Sequence, residues 1–368
     1  MMDVDARVLE SAVEGALRTT PVRLAQWSVE EIFAGDGQGL GVFRVTGSAQ
    51  ADHSLRDWSV ILKVLPDESA APMNGWSLAV REPLAYDSGL LDSLPKALGA
   101  PRRLGHAQQG GHHYLWLEDL GPDDVPWSFR DYAYAARQLG RFNGAYLMER
   151  PLPAAEWLSR DWLRSWLAEG AAAIDDLPRH RAHPLVGRIY PADLSAELKN
   201  LWKCREILLA ALDRLPQVLC HYDAFRRNLF LRSGRLLAVD WAFIGVGPLG
   251  AELAPLVTGS AAFLGIGRTQ WVALEHAAVD AYCQGLVDAG WHGPEEQVRF
   301  GFAASSALRY WPGVVRLVLP TLLDETAQRR TEDVLGTPFD QIIEVWADLS
   351  DWQARLAREA LMMVHTVH

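Results

Sequence analysis

Up to about residue 118, apolar and polar residues tend to alternate in short runs separated by glycine; beyond residue 124, apolar residues recur every three or four positions over most of the chain. These are the periods of strands and of helices, and each needs its own packed layer. The sequence therefore predicts an α+β protein: a small β-rich lobe over residues 1–120 and a larger, mostly helical lobe over residues 121–368. The boundary falls in the turn-forming run Glu118-Asp-Leu-Gly121-Pro-Asp-Asp. The 368 residues exceed one average domain, and with 49% of them apolar a sizeable core is available.

In the first lobe, Val4, Val8, Leu9, Ala12, Val13 and Leu17 have helical spacing, and Leu24 to Ile32 reads as a strand. Gly35, Gly37, Gly39 and Gly41 separate it from a second strand through Phe43 and Val45, and Trp58 to Leu65 is a third, carrying Lys63 among aliphatics. A helix is expected over Val80 to Leu91, with Pro83 near its start. Arg102 to Gln109 and His112 to Leu117 flank Gly110-Gly111, a tight hairpin signal.

In the second lobe, helices are expected over 131–147, 157–173, 194–215, 250–257, 269–289, 294–310 and 339–364. The segment from Leu177 to Asp193 reads as a loop. Its His180 and His183 lack neighbouring cysteines or a ligand spacing, which favours a solvated loop over a metal site. Gly247 to Gly267 comes nearest to a membrane span, but Glu252 interrupts it and glycine, proline and serine are frequent; it is expected to pack inside the protein.

The chemistry-bearing stretch is Val218-Leu-Cys-His221-Tyr-Asp223-Ala-Phe-Arg-Arg-Asn228, followed twelve residues after Asn228 by Asp240-Trp241. The residues in between read as a hairpin turning at Ser233-Gly234, which brings the loop and Asp240 together. These are parts that phosphoryl transfer needs in one pocket. Asp223 can accept the proton of a hydroxyl and orient its oxygen toward a γ-phosphorus. Asn228 and Asp240 offer hard oxygen ligands suited to Mg²⁺, so magnesium and a nucleotide triphosphate, ATP or GTP, are expected. His221 is expected to brace the loop. Each residue also has a plain structural reading, as turn cap, loop residue or strand end, and the joint spacing favours the chemistry.

Upstream, glycines between two strands let backbone amides approach phosphates, or simply form a flexible turn. Lys63 can reach phosphates if a carboxylate holds it, and Glu82 is the natural partner; alternatively Glu82 is an exposed first-turn glutamate facing the helix dipole. Arg226 and Arg227 either stabilise the transferring phosphate or face solvent.

The chain resembles the aminoglycoside phosphotransferase and choline kinase-like branch of the protein-kinase-like superfamily over most of its length. The resemblance rests on His221-x-Asp223-x₄-Asn228 and Val239-Asp240-Trp241, with Gly247-Pro248 and Glu252-Leu-Ala after them. Lys63, Glu82 and Leu117-Glu-Asp-Leu fit the smaller lobe in order. It implies a two-lobed kinase-like fold and an enzyme moving the γ-phosphoryl group to a small-molecule hydroxyl. In it Asp223 would be the base, Asn228 and Asp240 the metal ligands, and Lys63 the phosphate-binding lysine partnered by Glu82. Gly37, Gly39 and Gly41 would cover the phosphates, and Leu117, Glu118 and Leu120 would belong to the adenine-contacting linker. This sequence departs from the pattern at Tyr222, where many relatives have glycine, at Phe225-Arg226-Arg227, which replaces a proline-containing run, and at Glu252, a position often held by aspartate. None of these removes a catalytic group.

The acceptor stays open: an aminoglycoside, amino sugar or other sugar, or a choline-like or ethanolamine-like amino alcohol. A catalytically weak nucleotide-binding regulator is the reading from another class. A net charge of −11 argues against a nucleic-acid partner and tolerates cationic substrates. Trp271, Glu275, Tyr282, Trp311 and Asp324 are candidates to line an acceptor pocket. Three scattered cysteines, Cys204, Cys220 and Cys283, point to a reducing cytoplasm, and the N-terminal residues show no signal-peptide pattern. No membrane association is expected, and the oligomeric state is open.

Overall fold

The computed structural model describes residues 6–33, 41–67, 75, 79–122 and 125–366. In chain order the elements are α1 (Ala6–Leu17), β1 (Arg23–Phe33), β2 (Gly41–Ala51), β3 (Ser54–Pro66), α2 (Arg81–Asp87), β4 (Leu98–Gly99), β5 (Arg103–Gln109) and β6 (His112–Glu118). There follow α3 (Phe129–Met148), α4 (Trp162–Asp176), α5 (Pro184–Ile189), α6 (Ala192–Arg214), β7 (Gln217–Cys220), β8 (Leu229–Arg232), β9 (Arg235–Ala238) and β10 (Gly245–Pro248). The last are α7 (Ser260–Ala262), α8 (Trp271–Asp288), α9 (Glu295–Tyr310), α10 (Val315–Leu323), α11 (Glu325–Leu335) and α12 (Phe339–Met363).

The described residues group into two compact units: those within 1–72, 77–124 and 230–242, and those within 73–76, 125–229 and 243–368. The first is built on a five-stranded antiparallel sheet in the order β1-β2-β3-β6-β5. Period-two alternation puts Trp58, Val60, Leu62 and Val64 of β3 on one face, where they join Leu9, Ala12 and Val13 of α1 in the core. Lys63 is thereby turned to the other face. The β5–β6 turn has positive φ at both Gly110 and Gly111, and the β8–β9 turn at both Ser233 and Gly234, as a two-residue hairpin demands. The equivalent turn at Asp52-His53 carries no glycine, and it lets β3 begin at Ser54, four residues before the strand expected from Trp58. β4 pairs in parallel with β9, placing the segment before Asp240 in this unit.

The second unit is helical, with β7 and β10 paired antiparallel. α3 and α8 cross so closely that a Cβ on Gly140 would run into the Tyr282 carbonyl. Behind β7, Asn143 donates to the Leu219 carbonyl at 2.8 Å and accepts from the Tyr282 hydroxyl at 2.6 Å, tying both helices to the strand that enters the His221 loop. The run after β10 is buried through Ala261, and among the described residues no helix is long and apolar enough to cross a membrane.

Several local expectations are corrected. Residues 177–193 are not a plain loop: Leu177–His180 is a 3₁₀ turn and α5 follows, because Pro184 sits at a helix start where its missing amide costs nothing. α4 begins at Trp162, since the Ser159 carbonyl is taken by the Val246 amide at 2.7 Å. The helix expected over 250–257 begins only at Leu253, after a turn, and widens into a π-type turn over Pro255–Gly259; Pro255 has no amide to continue a regular ladder. α10 and α11 fill a segment for which no helix was expected.

Candidate active site

Two sets of side chains stand out, one in each unit. In the β-rich unit Lys63 makes an ion pair with Glu82 and a second, at 3.0 Å, with Asp240. The other Glu82 oxygen accepts the Trp241 amide at 3.2 Å, and neighbouring Arg81 donates to the Ala242 carbonyl at 2.9 Å, so α2 grips both the lysine and the backbone after Asp240. The far end of α2 is anchored through Asp87, which pairs with Arg103 and, at 2.9 Å, with His106 of β5. Glu82 is therefore a buried partner of Lys63, not an exposed first-turn residue. Burial alone would lower the Lys63 ammonium; Asp240 and then Glu82 outweigh it and raise it, so the lysine stays charged. Burial pushes the Glu82 carboxyl up, with Lys63 pulling against it. Asp240 adopts φ 64° and keeps its side chain about half exposed.

In the helical unit the loop after β7 hangs from Glu252. This fully buried carboxylate accepts the amides of His221 at 2.7 Å and Tyr222 at 3.0 Å, and burial pushes it up to about 7 against those two bonds. His221 Nδ1 accepts the Asp223 amide at 3.1 Å, which is the bracing role. Asn228 donates from Nδ2 to the Asp223 carbonyl at 3.0 Å and to Asp223 Oδ2 at 2.8 Å. Tyr222 takes φ 65°, a conformation glycine adopts freely, and its ring stacks on Trp162 at 5.0 Å. The phenol lies against Gly247, where any Cβ would overlap it, and donates to the Val246 carbonyl at 3.3 Å. The bulk at 222 is thus accommodated by the missing side chain at 247.

One member of this set escaped the sequence reading. Arg309 of α9 donates from Nη2 to Asp223 Oδ1 at 2.8 Å and from Nη1 to the Tyr222 carbonyl. A signal was present: Val298, Phe302, Ser305 and Arg309 follow helical spacing on a buried stripe, and a cation there needs a carboxylate.

Of the other expected residues, Gly37 and Gly39 lie outside the described residues, and Gly41 opens β2 at φ 116°, a value that favours glycine. Leu117 is buried in β6, Glu118 pairs with Arg102 at 3.3 Å, and the Leu120 carbonyl accepts Arg232 Nε at 2.8 Å. Between them Asp119 is held by Arg44 at 2.9 Å and Ser59 at 2.5 Å, so residues 117–120 are pinned. Arg226 is engaged with the Val125 and Leu229 carbonyls and lies over the Trp127 ring. Arg227 is exposed and contacts the Phe263 ring. Trp271, Glu275, Tyr282 and Trp311 are buried, with Glu275 tied to Arg299, Arg355 and Trp352, and Asp324 caps α11. His180 pairs with Asp176 at 3.0 Å.

The donor chemistry fits a hard cation. Asn228 spends its amide nitrogen on Asp223, so its amide oxygen is the atom that would be offered to a cation, and Asp240 is a half-exposed carboxylate. Among the described residues no three His, Cys, Asp or Glu side chains gather into a metal cage.

A family model described as the phosphotransferase enzyme family matches residues 79–296. No curated protein matches the sequence. Among solved structures, an amicoumacin kinase in complex with AMP-PNP, Ca²⁺ and Ami is 13% identical, with 93% of this chain and 94% of that one covered and a TM-score of 0.51. A choline kinase from Cryptosporidium parvum is 11% identical over 91% and 93%, TM-score 0.51. A Plasmodium vivax ethanolamine kinase is 12% identical over 88% and 81%, TM-score 0.50. At these identities the likeness is one of fold, which is that of kinase-like enzymes.

Proposed function

The chain belongs to the phosphotransferase enzyme family, and on that premise we propose that it moves the γ-phosphoryl group of ATP or GTP onto a hydroxyl of a small molecule. The observation that carries the reading is Lys63, a buried ammonium held by Glu82 and Asp240 at once. So disposed, Lys63 meets nucleotide phosphates, Glu82 fixes its direction, and Asp240 serves as a metal ligand. Asp223 accepts the proton of the attacking hydroxyl, with its carboxylate aimed by Asn228. Asn228 would then have two tasks, its nitrogen on the base and its oxygen among the groups that would hold the metal. When bound, Mg²⁺ supplies charge neutralisation at the phosphate oxygens. Gly37, Gly39 and Gly41 cover the phosphates and residues 117–120 receive the adenine. Retention of Lys63, Asp223, Asn228 and Asp240 together supports an active enzyme over a weak nucleotide-binding regulator, and its expected compartment is the cytoplasm.

For the acceptor we favour an aminoglycoside, amino sugar or other sugar, with an amino alcohol as rival; the net charge of −11 supports an amine-bearing molecule in either case. The experiment is γ-labelled ATP or GTP with and without Mg²⁺, against kanamycin, glucosamine, glucose, choline and ethanolamine, for wild type and Asp240→Ala. Label should reach one acceptor only with Mg²⁺, and Asp240→Ala should abolish it. Undiminished transfer by the variant across a magnesium titration would reject the metal assignment, and the absence of both a labelled acceptor and Mg²⁺-dependent hydrolysis of the nucleotide would reject the enzymatic one.

A further inference from the structure

We infer that Arg309 is the positioning residue that sets the plane of the Asp223 carboxylate, an inference that rests on reading Asp223 as the base. Asn228 holds one oxygen of that carboxylate, Oδ2, at 2.8 Å. Arg309 takes the other oxygen at 2.8 Å, so the two donors together admit one orientation. The same guanidinium binds the Tyr222 carbonyl, at the residue whose left-handed conformation turns the chain toward Asp223. One planar group therefore fixes both the side chain of the base and the backbone that delivers it, a fit that suits arginine and not lysine.

The surroundings are built for this cation. Arg309 is 6% exposed, and its guanidinium lies 4.4 Å from the Trp162 ring centre, 5.0 Å from Tyr310 and 5.9 Å from Trp166. Aromatic faces offset the desolvation that a buried arginine incurs and hold the plane of the fork. A brace needed for stability alone would be met at lower desolvation cost by an apolar side chain in this aromatic slot. The charge is directed at one acidic side chain, Asp223, with the buried Glu252 close enough to be pulled down by it against its burial.

Arg309 also walls a small, water-sized recess together with Trp162, Tyr222 and Ser305. Truncation at 309 should leave an aromatic slot, opening on this recess, that a small planar cation can enter. The test is steady-state transfer by wild type, Arg309→Ala, Arg309→Lys and Asp223→Ala, with whichever of the five acceptors is labelled, or with water as acceptor (ATP hydrolysis) if none is. Misorientation of the base should lower kcat of Arg309→Ala by about 100-fold while KM for ATP stays within about two-fold. Added guanidinium, below the concentration that unfolds the protein, should restore about a tenth of the lost rate, which a purely structural defect would not show. Arg309→Lys, able to reach only one of the two acceptors, should lose about 10-fold, and it carries the test if circular dichroism shows Arg309→Ala unfolded. A folded Arg309→Ala, or in its stead Arg309→Lys, with wild-type kcat beside an inactive Asp223→Ala overturns this inference alone. Full activity in Asp223→Ala overturns the base reading beneath it.

Discussion

Raising the pH from 4.5 to 8 should cost the wild-type protein stability through one carboxyl, Glu252. It is fully buried and accepts the two loop amides of His221 and Tyr222. Burial pushes it from the ordinary 4.5 up to about 7. In the unfolded chain this proton leaves near 4.5, whereas the folded protein keeps it to about 7. Between those values the folded state binds the extra proton, so the contribution is fully present below 4.5 and is lost as pH rises through 7. At about 1.4 kcal/mol per pH unit, the gap amounts to about 3 kcal/mol. Glu252→Gln removes this titration and leaves every other ionisable group in place. Urea unfolding followed by tryptophan fluorescence, for both proteins at steps from pH 4.5 to 8, isolates the effect as the difference between them. That difference should shrink by about 3 kcal/mol over the range; a difference constant to within about 0.5 kcal/mol would refute the reasoning.

Lys63→Met should destabilise by about 3 kcal/mol, because Glu82 would be left buried without its cation, and adding Glu82→Gln should recover most of the loss; a double variant no more stable than the single one counts against the pairing. Gly247→Ala drives a methyl into the Tyr222 phenol, so it should cost about 3 kcal/mol or more in thermal unfolding, and the loss should be less than additive with Tyr222→Gly. Asn143→Ala strands the Leu219 carbonyl and the Tyr282 hydroxyl in the core, at about 3 kcal/mol, whereas Tyr282→Phe should cost nearer 1 kcal/mol in the same unfolding assay.

The change from strand to helix period was legible because one face of each element is buried, and Gly110-Gly111 and Ser233-Gly234 mark their turns by residue chemistry alone. Asp52-His53 and the two-residue β4 were not, since a non-glycine left-handed turn and so short a parallel pairing leave no pattern. The segment from Leu177 to Asp193 has a loop-like composition, yet Pro184 starts a helix within it. In the candidate site, local spacing singled out Asp223 and Asn228, which the fold puts in contact, and a strand lysine with a helix-start glutamate pointed to the Lys63–Glu82 pair that the structure contains. Arg309 stands 86 residues from Asp223, and no local pattern reports a contact at that range. The tryptophans and Glu275 singled out for an acceptor pocket are spent on the core, because composition does not tell a pocket wall from packing.

The most direct test of the account is the rate of γ-phosphoryl transfer by Asp223→Asn, a change that keeps the shape of the side chain and removes its capacity to take a proton. With labelled ATP, Mg²⁺ and the acceptor found in the panel, kcat should fall by about 1,000-fold while ATP affinity is retained. Transfer at the wild-type rate would contradict the assignment of Asp223 as the base.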